Sequence, residues 1–154
     1  MISKLCNTLC NTTERLLGTF NWIPLLLARV SVGAVFVESG WGKLHHLDKV
    51  IAFFTELKIP FANIQAPMVA TFEFVAGIML ILGCGTRIAA VLIIGIMTVA
   101  IKTAKASELD SITSLFGISE FQFIVVALIL IFFGPGKASL DVLLKKRFCS
   151  NHSA

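Results

Sequence analysis

The stretch RVSVGAVFVESGWGK, residues 29–43, decides the fold, because it carries three ionisable side chains in an otherwise apolar run. Residues at offsets of four, seven, eleven and fourteen return to nearly the same side of an α-helix. Counted from the arginine, these offsets give Arg29, Gly33, Phe36, Gly40 and Lys43. All five fall in a stripe about 80° wide. The glycines between the two charges favour close approach by a second helix.

The composition is that of a membrane protein. Of the 154 residues, 56% are hydrophobic and 14% are charged, with a mean hydropathy of +0.89. Soluble domains carry about 25% charged residues, and so short and apolar a chain would expose large apolar patches to water. The net charge of +4 is modest, and the basic residues are dispersed apart from the cluster KKRF at residues 145–148. We therefore expect membrane lipids as partners and no nucleic acid.

Four apolar stretches have about the length needed to cross a bilayer, roughly 20 residues. They cover residues 22–44, 66–84, 87–103 and 119–134. Helices are the expected structure, because an open sheet would leave backbone groups unpaired in lipid. The sequence thus predicts an all-α fold, a four-helix transmembrane bundle.

Amphipathic segments flank these spans. Asn11 and Glu14 have the spacing of a capping box that starts a surface helix, and residues 46–60 form a second amphipathic segment that Pro60 ends. We predict an N-terminal surface segment over residues 1–21, a four-span domain over 22–136 and a basic C-terminal tail over 137–154.

The distribution of basic residues predicts the orientation. If both termini are cytoplasmic, the inner side carries seven lysines and arginines and the outer side five. The basic cluster close to the last span adds to this preference, so we expect cytoplasmic termini. The four cysteines then face a reducing compartment and are expected to be free thiols. Cys6, Cys10, Cys149 and His152 lack the paired spacing of a zinc site, and no metal is expected.

The second span repeats the pattern of the first. Glu73, Gly77, Leu80 and Cys84 share one face of its helix. We expect the two stripes to face each other, with Arg29 and Glu73 as partners of opposite sign. By the helical rise each lies about 10 Å inside an opposite end of its span, which leaves a gap on the order of 10 Å for a side chain, water or ligand.

Three further ionisable residues of the predicted spans are Lys43, Glu120 and Glu38. Lys43 is expected to extend to the lipid headgroups, and Glu120 can offset the positive end of its own helix. Both are also expected in the outer half of the bundle with Glu73. Glu38 lies on the side of its helix opposite Arg29, and the pattern assigns it no role.

An ordered series of residues resembles the DoxX family of small bacterial membrane proteins, over residues 24–143. The series is Arg29, Gly33, Gly40, Lys43, Glu73, Gly77, Gly83, Glu120, Gly134, Pro135, Gly136 and Asp141. The resemblance implies a multi-pass four-helix bundle in the bacterial inner membrane. It also implies an association with quinone-linked oxidation of sulfur compounds or with oxidoreductase complexes of the oxidative-stress response. Glu38 and the N-terminal extension depart from the family pattern.

Two interpretations of the charged stripes stay open. In one, Arg29 and Glu73 only hold the spans together. In the other, they form a pocket for a quinone headgroup or a small anion, with Arg29 polarising an oxygen and Glu73 accepting the proton. The proposed pocket residues are Gly33, Phe36, Gly40, Lys43, Gly77 and Glu120.

The expected function is therefore a membrane subunit of a quinone-linked oxidoreductase system, with a soluble oxidoreductase as partner. The alternatives are a non-enzymatic scaffold that docks soluble proteins through the basic tail, and a small-solute transporter. Four short spans leave little room for alternating access unless the protein forms a homo-oligomer.

Overall fold

The structure, a computed structural model, describes residues 22–106 and 111–149, without the side chains of Lys146, Phe148 and Cys149. These residues form helices and no strands, which confirms the all-α prediction. The helices are α1 (Trp22–His45), α2 (Leu47–Glu56), α3 (Ala62–Leu82), α4 (Thr86–Thr103), α5 (Ile112–Gly117), α6 (Ser119–Phe133) and α7 (Leu140–Cys149). The predicted surface segment 1–21 and three of the four residues considered for a metal site lie outside the described residues.

Three helices, α1, α3 and α4, are long and apolar enough to cross a membrane. The fourth predicted span corresponds to α6, an apolar helix of 15 residues. At about 1.5 Å per residue, α6 is roughly 22 Å long, shorter than the hydrocarbon core of about 30 Å. Large apolar side chains cover the outside of these helices, among them Leu27, Val91, Phe132 and Phe133. The fold is a membrane bundle whose outer surface suits lipid.

Small residues form the contact between α1 and α3, the most extensive helix pair of the bundle. A Cβ atom placed on Gly33 would lie 2.8 Å from the carbonyl oxygen of Gly77, and the converse distance is also 2.8 Å. A Cβ atom on Gly40 would lie 2.5 Å from the backbone nitrogen of Phe74. All three distances are too short to accommodate a Cβ atom. The two glycine-bearing stripes therefore face each other, as the sequence predicts.

The surface segment after α1 differs from its prediction at the C-terminal end. Its helix α2 ends at Glu56, before Pro60 is reached. Lys58 and Phe61 take left-handed backbone conformations, with φ of 56° and 54°. This turn redirects the chain into α3: Lys58 follows the end of the surface helix, and Phe61, directly after Pro60, precedes the first residue of α3.

The C-terminal segment packs against the bundle instead of leaving it at residue 136. Ser139 is buried, and the backbone N–H of Asp141 donates to the carbonyl oxygen of Gly83 at 3.0 Å. Gly83, with φ of 69°, is the left-handed residue that ends α3. The start of α7 is thereby fixed to the turn between α3 and α4.

We predict opposite effects for two glycines of α1 that are two residues apart. Gly40→Ala should lower the free energy of unfolding by about 2 kcal/mol, because the added methyl group meets backbone atoms of α3. Gly42→Ala should leave it unchanged or raise it slightly, since no atom lies within 4 Å of the added Cβ. Titration with a denaturing detergent in mixed micelles measures both. Equal effects at the two positions would contradict the described helix contact.

Candidate functional site

A buried ion pair joins α1 to α3. The Lys43 ammonium nitrogen lies 2.6 Å from both carboxylate oxygens of Glu73. The Ser39 hydroxyl donates a third hydrogen bond to Oε2 of the same carboxylate at 3.0 Å. The side chain of Glu73 is 2% exposed and that of Lys43 is 35% exposed. The carboxylate is therefore held inside the protein by charge-assisted hydrogen bonds, while its partner keeps contact with the surroundings.

The helix contact explains how these side chains meet. Gly40 lets the backbone of α1 approach Ala70 and Phe74, which lie on either side of Glu73 along α3. Ser39 and Lys43 are four residues apart and thus neighbours on one face of α1. A side chain at position 40 would push α1 away from α3. The glycine therefore brings both hydrogen-bond donors within reach of the carboxylate.

Arg29 lies at the other end of the α1–α3 contact and binds backbone oxygens. Its Nη1 donates to the carbonyl of Pro135 at 2.5 Å and its Nη2 to that of Ala138 at 2.6 Å. The guanidinium packs against Gly83, where a Cβ atom would lie 2.6 Å from Nη1. Its Nε atom is buried and has no hydrogen-bond partner among the described residues. The arginine thus holds the turn that follows α6.

Asp141 completes this end of the bundle. Its carboxylate accepts from the backbone N–H of Gly85 at 2.8 Å and from that of Thr86 at 3.3 Å. A carboxylate at this place satisfies free N–H groups at the start of α4 and faces the positive end of its helix dipole. Residues that lie far apart in the chain, Arg29, Gly83, Pro135 and Asp141, therefore form one structural cluster.

The structure corrects two predictions about charged pairs. Arg29 does not face Glu73 across a gap, because each has its own partners and the two clusters lie at opposite ends of the helix contact. From Arg29 to Ser39 the helix rises about 15 Å. The expectation that Lys43 extends to the headgroups is also wrong, because its ammonium group is bound to Glu73. The register between α1 and α3, which helical periodicity does not determine, decides both outcomes.

An apolar cavity of about 480 Å³ lies beside the ion pair, between α2, α3 and α4. Lys43 and Glu73 line one part of its wall. The remaining wall is mainly aromatic and aliphatic and includes Phe53, Phe54, Met68, Phe72, Ile96 and Val99. Several of these side chains are also exposed on the outer surface of the bundle, Phe53 and Val99 among them. The cavity is therefore open toward the lipid-facing side.

The predicted site residues are distributed over the cavity, the α1–α3 contact, the core and the first turn of α6. Lys43 and Glu73 line the cavity, whereas Gly33, Gly77 and Gly40 form the α1–α3 contact. Phe36 is buried in the core, where its ring and that of Phe123 pack in a T-shaped arrangement at a centroid distance of 5.3 Å. Glu120 lies in the first turn of α6, where the Ser119 hydroxyl donates to it, and it is not among the described residues that line the cavity.

Sequence reasoning missed Ser39 and the aromatic wall. Ser39 sits four residues before Lys43, a spacing that places it beside any partner of the lysine. Phe53 and Phe54 belong to α2, whose apolar side was assigned to the membrane surface. That side also lines a cavity, and two adjacent phenylalanines in so short a helix are a signal for it.

These features define a small all-α membrane protein with a buried ion pair next to an apolar cavity. The DoxX family model matches residues 24–106, and the chain belongs to the DoxX family. Three relatives match most of the chain. "Inner membrane protein YqjF" of Escherichia coli (strain K12) is 25% identical over 82% of this chain and 95% of its own length.

The other two relatives are similar at 29% identity. "Putative oxidoreductase CatD" of Bacillus subtilis (strain 168) matches over 68% of this chain and 72% of its own length. "Uncharacterized membrane protein Rv3486" of Mycobacterium tuberculosis (strain ATCC 25618 / H37Rv) matches over 80% and 82%, respectively. No solved structure gives a significant match. The family and its relatives support a location in the bacterial inner membrane.

We predict that the two halves of the ion pair contribute unequally to stability. Lys43→Met should lower the free energy of unfolding by about 3 kcal/mol, because it leaves a buried carboxylate without its counter-charge. Glu73→Gln should cost only about 1 kcal/mol, since Lys43 is partly exposed and its ammonium group can be solvated. The double variant should be more stable than Lys43→Met alone.

Detergent denaturation of the three variants gives this double-mutant cycle, with Glu120→Gln as the control for loss of a carboxylate elsewhere. Additive effects of the two substitutions would mean that the side chains do not interact.

Proposed function

We propose that the cavity beside Lys43 and Glu73 binds the headgroup of a quinone, and that the protein is the membrane subunit of a quinone-linked oxidoreductase system. The observation that carries this proposal is the placement of a buried ion pair in the wall of an apolar cavity that opens toward lipid. A lipophilic molecule with a polar ring matches both parts of that wall. The name of the relative from Bacillus subtilis, "Putative oxidoreductase CatD", agrees with redox chemistry.

The residues that line the cavity fit a quinone headgroup. A volume of about 480 Å³ lies within the range of about 300–1,000 Å³ that is usual for small-molecule sites. The rings of Phe53 and Phe72 offer apolar surface to a planar ring. Lys43 carries three N–H groups, of which two serve the carboxylate oxygens of Glu73. Its third N–H can donate to a quinone oxygen.

The chain's own residues bind, orient and handle protons in this proposal. Lys43 positions the quinone oxygen and stabilises negative charge on it. Glu73 holds a proton and passes it to that oxygen, and Ser39 keeps the carboxylate in place. A quinone, when bound, supplies two-electron, two-proton redox chemistry. We assign the electron supply to a soluble oxidoreductase partner.

The route of entry differs from the one that the sequence indicates. Because the cavity lies between α2, α3 and α4, the quinone enters there and not between the first two spans. In this proposal Lys43, and not Arg29, polarises the quinone oxygen, since Arg29 is bound to the turn after α6. With both termini in the cytoplasm, as the basic residues predict, the ion pair lies in the outer half of the inner membrane.

The basic C-terminal segment is the surface at which a soluble protein would dock in the alternative role, a non-enzymatic membrane scaffold. Lys145 and Arg147 are exposed on α7. The start of α7 is held against the bundle by Asp141. A partner that binds α7 would therefore contact a fixed surface on the cytoplasmic side.

We predict that two different changes weaken quinone binding. Lys43→Met should raise the Kd of a short-chain quinone about tenfold or more, because one charge-assisted hydrogen bond is lost. Gly95→Leu should raise it to a similar extent by filling the cavity, since Gly95 lines the wall and has no atom within 4 Å of its Cβ position. Calorimetric titration of the protein in lipid nanodiscs measures both.

Glu120→Gln is the control, because Glu120 is not among the described residues that line the cavity. Its Kd should equal that of the natural protein. Unchanged affinity in both Lys43→Met and Gly95→Leu would refute quinone binding in this cavity.

A further inference from the structure

Glu38 is an ionisable residue of α1 that the ion pair leaves unused. It lies seven residues before the end of the helix, which places it about 10 Å inside the span. Its side chain is exposed, and it makes no hydrogen bond or ion pair with any residue that the structure describes. Ionisable residues inside membrane spans nearly always face the protein interior or a water-filled cavity. Glu38 therefore needs water or a partner at this depth.

A groove between α1 and α2 provides the polar surroundings. The groove has a volume of about 480 Å³, and its polar lining consists of Glu38, Ser39, Lys43, His46 and Lys49. His46 and Lys49 lie where α1 joins the amphipathic helix α2, which the sequence predicts to lie at the membrane surface. Glu38 and Val35 lie deeper along α1. The groove thus runs from the end of α1 into the span, and its volume and polar side chains can accommodate water.

The groove and the apolar cavity share one wall. Lys43, Lys49 and Val50 line both spaces. Ser39 lines the groove and donates to the Glu73 carboxylate, which itself lines the cavity. The ion pair therefore stands between a polar groove on one side and an apolar cavity on the other.

We propose that the groove is a proton path and that Glu38 relays protons between water and Glu73. This inference rests on the proposed function, because reduction of a quinone in the cavity consumes protons. For each quinone reduced to quinol, the soluble partner supplies two electrons and the groove supplies two protons. Each proton passes from water to Glu38, then to the Glu73 carboxylate and then to a quinone oxygen. Lys43, His46 and Lys49 are the charged or titratable groups that face this path.

Adjacent residues of α1 allow a matched test for water in the groove. Val35 lines the groove, whereas its exposed neighbour Ala34 does not, although both lie at the same depth. In full-length protein with the native cysteines changed to serine, Val35→Cys should react with a membrane-impermeant thiol reagent at least tenfold faster than Ala34→Cys. Equal rates at the two positions would overturn the groove as a water path.

The role of Glu38 needs a second measurement on the protein with bound quinone. Voltammetry on an electrode supplies the electrons without a partner protein. Glu38→Gln should slow quinone reduction at least tenfold and leave the quinone Kd unchanged, whereas Glu38→Asp should restore part of the rate. An unchanged rate in Glu38→Gln would overturn the relay.

The two ideas fail in different ways. If the natural protein does not bind quinone, the proposed function is refuted, and the thiol reactivity still decides whether water reaches Glu38. If quinone binds and Val35→Cys reacts no faster than Ala34→Cys, the proton path is refuted and the quinone site stands.

Discussion

The close antiparallel approach of α1 and α3 is the constraint on which the rest of the structure depends. Gly33, Gly40 and Gly77 leave no room for a side chain between the two backbones. In lipid, such contacts stabilise a helix pair through packing, because the hydrophobic effect does not favour protein surface over acyl chains. The same approach fixes the register of the two helices. This register then decides which charged side chains meet.

Each end of this contact has a charged cluster with a separate task. At one end Arg29 and Asp141 hold backbone groups of the turns after α6 and α3, and all of their described contacts are structural. At the other end Lys43 and Glu73 stand in the wall of a cavity and beside a polar groove. A buried ion pair is weak support for stability, since desolvation offsets much of its attraction. Its position between two spaces is the observation on which the proposed binding and proton transfer rest.

Helical periodicity and apolar length predicted the helices and the facing stripes, because both follow from the local chain. They did not predict which charges pair. Arg29 and Glu73 are of opposite sign and share the inward faces, but the sequence contains no direct signal for the offset between antiparallel helices. A pattern of side chains also does not indicate which backbone carbonyl oxygens accept hydrogen bonds from Arg29. The sequence did not indicate the cavity, because the amphipathic pattern of α2 predicts a surface helix and does not show that its phenylalanines also face a space between α3 and α4.

The most direct test of this account is a solid-state NMR measurement of the dipolar coupling between the side-chain nitrogen of Lys43 and the carboxylate carbon of Glu73 in lipid bilayers. The account predicts a strong coupling, as expected for an ammonium nitrogen 2.6 Å from both carboxylate oxygens. No coupling to Lys43, or a strong coupling from the Arg29 guanidinium to Glu73, would contradict it.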